Sequence, residues 1–99
     1  MIKWKSIEFT DGKCKITLET GEVFTGYKGR RYFDFGYEHD ETCIKLFGPF
    51  RHRNYDVLSS ILGMEVTPGC CPESRDPMSF IKLYFERIGS NEELWDGLI

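Results

Sequence analysis

The sequence predicts an α+β fold: an N-terminal five-strand antiparallel, barrel-like sheet followed by two or three C-terminal helices. In residues 13–26 apolar and polar side chains alternate, and the turn-forming pairs Asp11-Gly12 and Thr20-Gly21 bracket the strands, which is typical of antiparallel hairpins. In the second half the apolar positions recur at helical spacing instead. At 99 residues the chain is expected to form a single domain, with a β half at 1–50 and a helical half at 51–99.

Turn signals divide the β half into five predicted strands. The apolar positions before and after Lys5-Ser6 alternate out of phase, which predicts a bulge or bend near Lys5-Ser6. Asp11-Gly12 is a strong two-residue hairpin signal. Short strands with turns at this regular spacing are typical of a small barrel or a strongly curved sheet. The predicted strands are Ser6–Thr10, Lys13–Glu19, Glu22–Lys28, Tyr32–Tyr37 and Thr42–Phe47.

Capping residues bound the predicted helices. Asn54 can cap the first helix and Gly63 can end it. Asp76-Pro77 begins the second helix, which Gly89 ends. Ser90–Glu93 forms a capping box for a short third helix. The apolar faces of these helices are formed by Val57, Leu58, Ile61 and Leu62, then by Ile81, Tyr84, Phe85 and Ile88, and last by Leu94, Trp95 and Leu98.

One hairpin carries a family resemblance. Its apolar, turn, aromatic and glycine positions are Ile16, Leu18, Thr20, Gly21, Phe24 and Gly26. In this order they resemble the first motif of the Sm-like (LSm) small β-barrels, over residues 14–26, and SH3-type barrels share the same arrangement. The resemblance implies a curled β half in which Gly26 lets the strand bend. The counterpart of the second motif, Ile44–Gly48, lacks the family's basic residue before the glycine, so RNA binding in the family's manner is not implied.

Composition excludes several classes of protein. The net charge of −3 is far from that of a strongly basic nucleic-acid binder, and equally far from a highly acidic DNA mimic. No apolar run reaches the roughly 18 residues of a membrane span, and the first residues do not have the pattern of a signal peptide. A cytoplasmic location is therefore expected, with all four cysteines reduced.

A run of mixed basic and aromatic residues is the candidate site for nucleic acid. Single strands are bound by aromatic platforms beside positive charge, and the segment Tyr27–Tyr37 offers both. The alternative is that its aromatic residues alternate into the core while the arginines solvate a turn. The candidate residues of this basic-aromatic patch are Lys28, Arg30, Arg31, Tyr32, Tyr37, Arg51 and Arg53.

The last two predicted helices form the candidate surface for a protein partner. Apolar residues are numerous in this short segment, and an apolar centre with an acidic rim suits a protein–protein interface. The alternative is that the apolar face covers the sheet. The candidate residues of this C-terminal surface are Glu92, Glu93, Trp95 and Asp96.

Metal and catalytic chemistry have weaker support in the sequence. Cys14 and Cys43 lie at predicted core positions, and the vicinal Cys70-Cys71 cannot readily place both sulfurs on one ion. A zinc site would have to combine His39 with Cys43 and one cysteine of the vicinal pair. An enzyme would depend on His39, Asp40 and Glu41, or on His52 near Asp56. Since no nucleophile elbow, P-loop or H-E-x-x-H motif is present, we predict no cofactor, no metal and no enzymatic activity.

These observations favour a non-enzymatic binding protein that acts through protein–protein contacts. Its small, aromatic-rich, mildly acidic format is similar to that of phage- or mobile-element-encoded inhibitors of host defence proteins such as CRISPR effectors. The alternative is a small nucleic-acid-binding β-barrel module of Sm-like or SH3-like type. We expect a protein as the partner in preference to a nucleic acid, and we expect no membrane partner. A homodimer is an alternative that the sequence leaves open.

Overall fold

The computed structural model describes residues 3–48, 55–68, 72–89 and 91–94. It shows an α+β fold in which a four-stranded antiparallel sheet of order β1-β2-β3-β4 precedes the helices. The strands are β1 (Trp4–Thr10), β2 (Lys13–Leu18), β3 (Val23–Lys28) and β4 (Phe33–Asp34). The helices are α1 (His39–Phe47), α2 (Tyr55–Leu62) and α3 (Pro77–Leu83), and α3 continues into a π-helical turn, Tyr84–Ile88.

The β1–β2 hairpin has the predicted turn and the predicted bulge. Asp11 and Gly12 both have positive φ, 46° and 76°, as the two central residues of a type I′ turn require. The pairing register shifts between Trp4 and Ser6, which places the bulge at Lys5 and confirms it. Local turn chemistry alone therefore sets this half of the sheet.

The prediction of a fifth strand at 42–47 is wrong, because these residues belong to α1. The side chains of Thr42, Cys43, Leu46 and Phe47 are buried while Ile44 and Lys45 are exposed, which is the period of a helix and not of a strand. Acidic residues in the first turn and a basic residue in the last turn complement the helix dipole. The change from strands to helices thus falls before residue 39, not at residue 50.

The predicted barrel is also absent from the described residues, where β1 and β4 lie at opposite ends of an open sheet. The fourth strand was expected to run through Tyr32–Tyr37 but is only two residues long. It ends because the Asp34 carboxylate accepts a hydrogen bond from the Gly36 N–H at 2.8 Å, and Gly36 takes a positive φ of 86°. These two features form a turn that leads the chain out of the sheet.

The predicted helix boundaries agree with the structure where it describes them. Asp76 caps α3 by accepting the Ser79 N–H at 3.1 Å. Gly63 and Gly89 follow α2 and the π-helical turn with positive φ, 69° and 47°. Asn54 lies outside the described residues.

The last described turn is capped by Asn91. Ser90 lies outside the described residues, and the side chain of Asn91 accepts the Leu94 N–H at 3.3 Å, as an N-cap does for the third residue of a helix. Within the described ranges, none of the helices has the length and apolar character needed to cross a membrane.

The hydrophobic core lies between one face of the sheet and the helices. The Trp4 ring stacks on Tyr84 and Phe85 with centroid distances of 5.2 and 5.3 Å. The opposite face of the sheet is polar, because Lys13, Lys15, Thr25 and Tyr27 are all exposed there. The buried apolar residues are Trp4, Cys14, Ile16, Leu18, Phe33, Cys43, Leu46, Phe47, Leu58, Leu62, Val66, Phe80, Ile81, Tyr84 and Ile88.

Candidate functional site

The outer edge of β3 leaves main-chain groups open. Lys28 N–H donates to Gly12 O at 2.7 Å, and Leu18 N–H donates to Glu22 O at 2.9 Å, so the even-numbered residues of β3 bond to β2. The odd-numbered residues then direct their N–H and C=O groups away from β2. The ladder with β4 covers only Tyr27 and Lys28. No strand in the described part of the chain pairs with the outer edge at Val23 and Thr25.

A braced turn lies beside this edge. Phe35 N–H donates to Nδ1 of His39 at 3.1 Å, and the Asp34 carboxylate accepts from Gly36 at 2.8 Å. The His39 ring also packs on Phe35 and on Tyr32, with centroid distances of 6.1 and 5.1 Å. These contacts fix the backbone of the turn at residues 34–36. Tyr37, which directly follows this turn, is fully exposed.

The edge and the turn form a groove, which we call the edge groove. Its volume is about 310 Å³. Phe24 and Phe35 are its half-buried aromatic residues, and Glu38 is the one ionised group among its lining side chains in the described chain. The lining consists of Val23, Phe24, Thr25, Phe35, Tyr37, Glu38 and Thr42. Tyr37 was the only member of this set named among the predicted site residues.

An acidic depression adjoins the edge groove on the other side of Tyr37. It is lined by Tyr37, Glu38, His39, Asp40 and Glu41, and it shares Tyr37 and Glu38 with the edge groove. Lys45, whose ammonium lies 5.5 Å over the Phe24 ring, already pairs with Glu22. The side of the edge groove that faces Tyr37 is therefore negative.

Gly26 positions Phe35 in the edge groove. A Cβ at Gly26 would lie 2.7 Å from Cε1 of Phe35 and 3.0 Å from Sγ of Cys14. The resemblance to Sm-like barrels implied that Gly26 lets the strand bend. In the structure this glycine admits the ring of Phe35 against the sheet, and close approach is the other common reason for a glycine inside a strand.

Asp34, His39 and Cys43 lie together but do not form a nucleophile–base pair. The sulfur of Cys43 is 3.7 Å from Nε2 and 3.9 Å from Nδ1 of His39, and Nδ1 is 3.8 Å from the Asp34 carboxylate. In a Cys–His–Asp triad Nδ1 must carry the proton and donate it to the carboxylate. Here Nδ1 accepts a hydrogen bond from the Phe35 N–H, and Cys43 is buried. The role of His39 in this arrangement is to stabilise the turn.

The basic-aromatic patch is partly neutralised where the structure describes it. The Arg31 guanidinium lies 3.9 Å from the Glu73 carboxylate, and Arg31 O accepts the Ser74 N–H at 2.9 Å. Hydrogen bonds from Ser79 lower the pKa of the Asp76 carboxyl, and the nearby Lys28 lowers it further. Two of the three described cations of the patch thus face carboxylates of the helical half.

The remaining members of the patch are scattered. Arg30 is exposed. Tyr32 is 38% exposed and packs on His39, on the turn that carries Tyr37. Arg51 and Arg53 lie outside the described residues, as does His52.

The C-terminal surface is described only in part. Glu92 and Glu93 are exposed, while Leu94 packs against the core. Trp95 and Asp96 lie outside the described residues, so their part in an interface stays a prediction.

The cysteines of the described chain are core residues. Cys14 and Cys43 are both buried, and burial raises the pKa of the Cys14 thiol to about 11, which makes it a poor nucleophile and metal ligand at neutral pH. Within the described ranges, no three His, Cys, Asp or Glu side chains group as metal ligands would. Cys70 and Cys71 lie outside those ranges.

Sequence patterns could have indicated the turn of the site but not its groove. The order Asp34-Phe35-Gly36 is typical of a side-chain-capped turn, and it marks the point at which Tyr37 leaves the sheet. Comparison of the chain with protein-family models, with curated proteins and with solved structures finds no significant match.

Proposed function

We propose that this chain is a non-enzymatic protein that acts by binding another protein at the edge groove. The observation that carries the proposal is the full exposure of Tyr37 on a hydrogen-bonded turn. An exposed tyrosine held in place loses little entropy on binding, and tyrosine is enriched among the residues that dominate interface energies. The half-buried Phe24 and Phe35 beside it supply an apolar floor.

Electrostatics favour a protein over a nucleic acid as the partner. Glu38 lines the edge groove and Asp40 and Glu41 line the adjoining depression, where they would repel phosphates. Phosphate binding depends on free cations, and the Arg31 guanidinium lies 3.9 Å from the Glu73 carboxylate, while Lys28 is close enough to lower the pKa of the Asp76 carboxyl.

The sequence also led to more specific predictions about the partner and the location, and the binding proposal does not depend on them. Inhibition of a host defence protein such as a CRISPR effector stays a prediction, as does action in the cytoplasm. The resemblance of residues 14–26 to an Sm-like motif concerns one hairpin, and the binding proposal does not depend on it.

Site-specific photocrosslinking tests the proposal. The full chain would carry p-benzoylphenylalanine in place of Tyr37, or in place of the exposed Val57 on α2 as the control, and would be irradiated in a lysate of its source cells with and without nuclease. We expect a discrete protein adduct at position 37 that survives nuclease and is absent at position 57. Adducts that disappear with nuclease, or equal labelling at both positions, would contradict the proposal.

A further inference from the structure

We propose that the partner presents an extended segment with a lysine or arginine, and that this segment adds as a strand to the Val23–Thr25 edge of β3. The inference rests on the proposed function and specifies how the edge groove is occupied. It depends on three features of the structure: the open main-chain groups, the lack of edge protection, and the charge of the groove.

Four main-chain groups, the N–H and C=O of Val23 and of Thr25, can form hydrogen bonds with such a strand. Because the even-numbered residues of β3 bond to β2, the N–H and C=O groups of Val23 and Thr25 point outward, and both residues are exposed. They stand two residues apart, which is the repeat at which an added strand makes its hydrogen bonds. Strand addition of this kind takes its affinity from the main chain and its specificity from side-chain pockets.

The two edges of the sheet differ in their protection against strand addition. The β1 edge carries a bulge at Lys5 and a second charged residue, Glu8, which are common devices against edge pairing. At the β3 edge, Val23, Phe24 and Thr25 follow one another without charge, proline or register shift. The unprotected edge is the one beside Tyr37, which indicates that it is kept open for a partner.

The residues that line the edge groove determine which side chains the partner's segment should carry. Residues on one side of an added strand would meet the half-buried Phe24 and Phe35, and those on the other side would lie next to Val23 and Thr25. An alternation of apolar and polar residues satisfies both sides. A basic residue at the end near Tyr37 would meet the Glu38 carboxylate and the aromatic face of Tyr37.

Charge argues against a second copy of this chain as the occupant. A second β3 edge would bring its own Glu38, Asp40 and Glu41 close to those of the first copy, and its Lys45 is already paired with Glu22. We therefore assign the edge groove to a different protein that carries a basic, extended segment.

Thr25→Pro removes an outward N–H without removing a bond of the β2–β3 ladder. Proline is tolerated at a sheet edge for this reason. The matched control is Thr25→Val, which also replaces the side chain but keeps the N–H. Retention of slow amide exchange at Phe24 and Gly26 would show that the proline variant is folded.

The probe is a set of random 12-residue peptides, selected by display against the immobilised full chain and then synthesised. We expect selected peptides to alternate apolar and polar residues and to contain Lys or Arg. Thr25→Pro should weaken their binding about tenfold, as the loss of a main-chain hydrogen bond implies, while Thr25→Val leaves it nearly unchanged. Bound peptide should slow amide exchange at Val23 and Thr25.

Other outcomes separate this inference from the proposed function. Equal binding to Thr25→Pro, unchanged exchange at Val23 and Thr25, or failure to select any peptide would overturn strand addition. A crosslinked protein at position 37 would then still support the proposed function. Dimers of the chain with protected Val23 and Thr25 amides would identify a second copy as the occupant and overturn the inference as well.

Discussion

The backbone N–H of Phe35 donates a hydrogen bond to Nδ1 of His39, with the two nitrogens 3.1 Å apart. The bond spans the turn that carries Tyr37 and requires that Nδ1 be unprotonated. It ties the first turn of α1 to the end of β4. The position of Tyr37 at the edge groove therefore depends on the His39 imidazole as a hydrogen-bond acceptor.

Replacing His39 with leucine should loosen this turn. Leucine keeps apolar contact with Tyr32 and Phe35 but leaves the Phe35 N–H without its acceptor, which costs about 1–2 kcal/mol for a partly buried donor. Urea unfolding should show a loss of this size, and amide exchange at Phe35 should accelerate. Tyr37→Ser is the matched control, because a fully exposed side chain contributes little to folding. Unchanged exchange at Phe35 in His39→Leu would contradict this account of the turn.

Gly26→Ala should destabilise the sheet through Phe35. The new Cβ would lie 2.7 Å from the Phe35 ring, and overpacking of this kind costs about 1–3 kcal/mol. A double-mutant cycle with Phe35→Leu, measured by urea unfolding, checks the cause. The two changes together should cost less than the sum of the single changes, since the smaller side chain makes room. Additive losses would show that contact with Phe35 is not the cause of the destabilisation.

The elements that sequence patterns predicted correctly are those with local determinants. The β1–β2 hairpin follows from Asp11-Gly12, whose backbone preferences fix the turn. The start of α3 follows from Asp76-Pro77, where a side-chain cap and a fixed φ act within one turn. Both signals work over a few residues and need no knowledge of the rest of the fold.

Residues 42–47 were misassigned because a short apolar run fits two periods. Cys43, Leu46 and Phe47 lie on one helical face, but read in isolation the same run also suits a buried strand. Burial against Trp4, Phe80 and the rest of the core selects the helix, and that contact is not local. The acidic first turn of α1 was the one sequence signal that pointed to a helix.

The edge groove could not be predicted for a related reason. It exists because β4 pairs with only Tyr27 and Lys28, leaving Val23 and Thr25 open. Nothing within β3 indicates how long its neighbour is. Tyr37 was named as a candidate for stacking on bases; the structure shows it fully exposed beside Glu38 and Thr42, and its part in binding stays a prediction.

Stability should fall at alkaline pH. Burial raises the pKa of the Cys14 thiol from 9.0 to about 11, so the unfolded chain loses this proton before the folded chain does. The protonated Cys14 thiol therefore adds to the free energy of unfolding. This stabilisation is complete below pH 9, is lost as the pH rises toward 11, and amounts to about 3 kcal/mol at most. Burial also raises the pKa of Tyr84, which extends the loss above pH 10.

The alkaline loss can be assigned with Cys14→Ala. Urea unfolding at pH 7, 9 and 10 would measure the free energy, and the variant should start from a lower stability, because it leaves a small cavity, but decline less steeply between pH 9 and 10. Equal slopes for both proteins would show that the Cys14 thiol does not cause the loss.

Asp76→Ala should weaken α3. Hydrogen bonds from Ser79 lower the pKa of the Asp76 carboxyl, and loss of an N-cap costs about 1 kcal/mol. Asp76→Asn is the control, since asparagine caps helices nearly as well. Thermal unfolding of the three proteins should rank Asp76→Ala lowest, with Asp76→Asn close to the parent. A result in which both variants lose the same stability would mean that the charge matters, and not the cap.

Charge reversal at Arg30 and Arg31 separates the two classes of partner. If the chain binds a protein at the edge groove, Arg30→Glu/Arg31→Glu should leave crosslinking at position 37 unchanged, because Arg31 already pairs with Glu73 on another surface. Glu38→Lys is the matched charge reversal inside the edge groove, and it should reduce crosslinking. Binding of a fluorescent single-stranded oligonucleotide, measured over a range of salt concentrations, gives the opposite readout. Nucleic-acid affinity that falls steeply with salt and disappears in Arg30→Glu/Arg31→Glu would restore the basic-aromatic patch as the functional site.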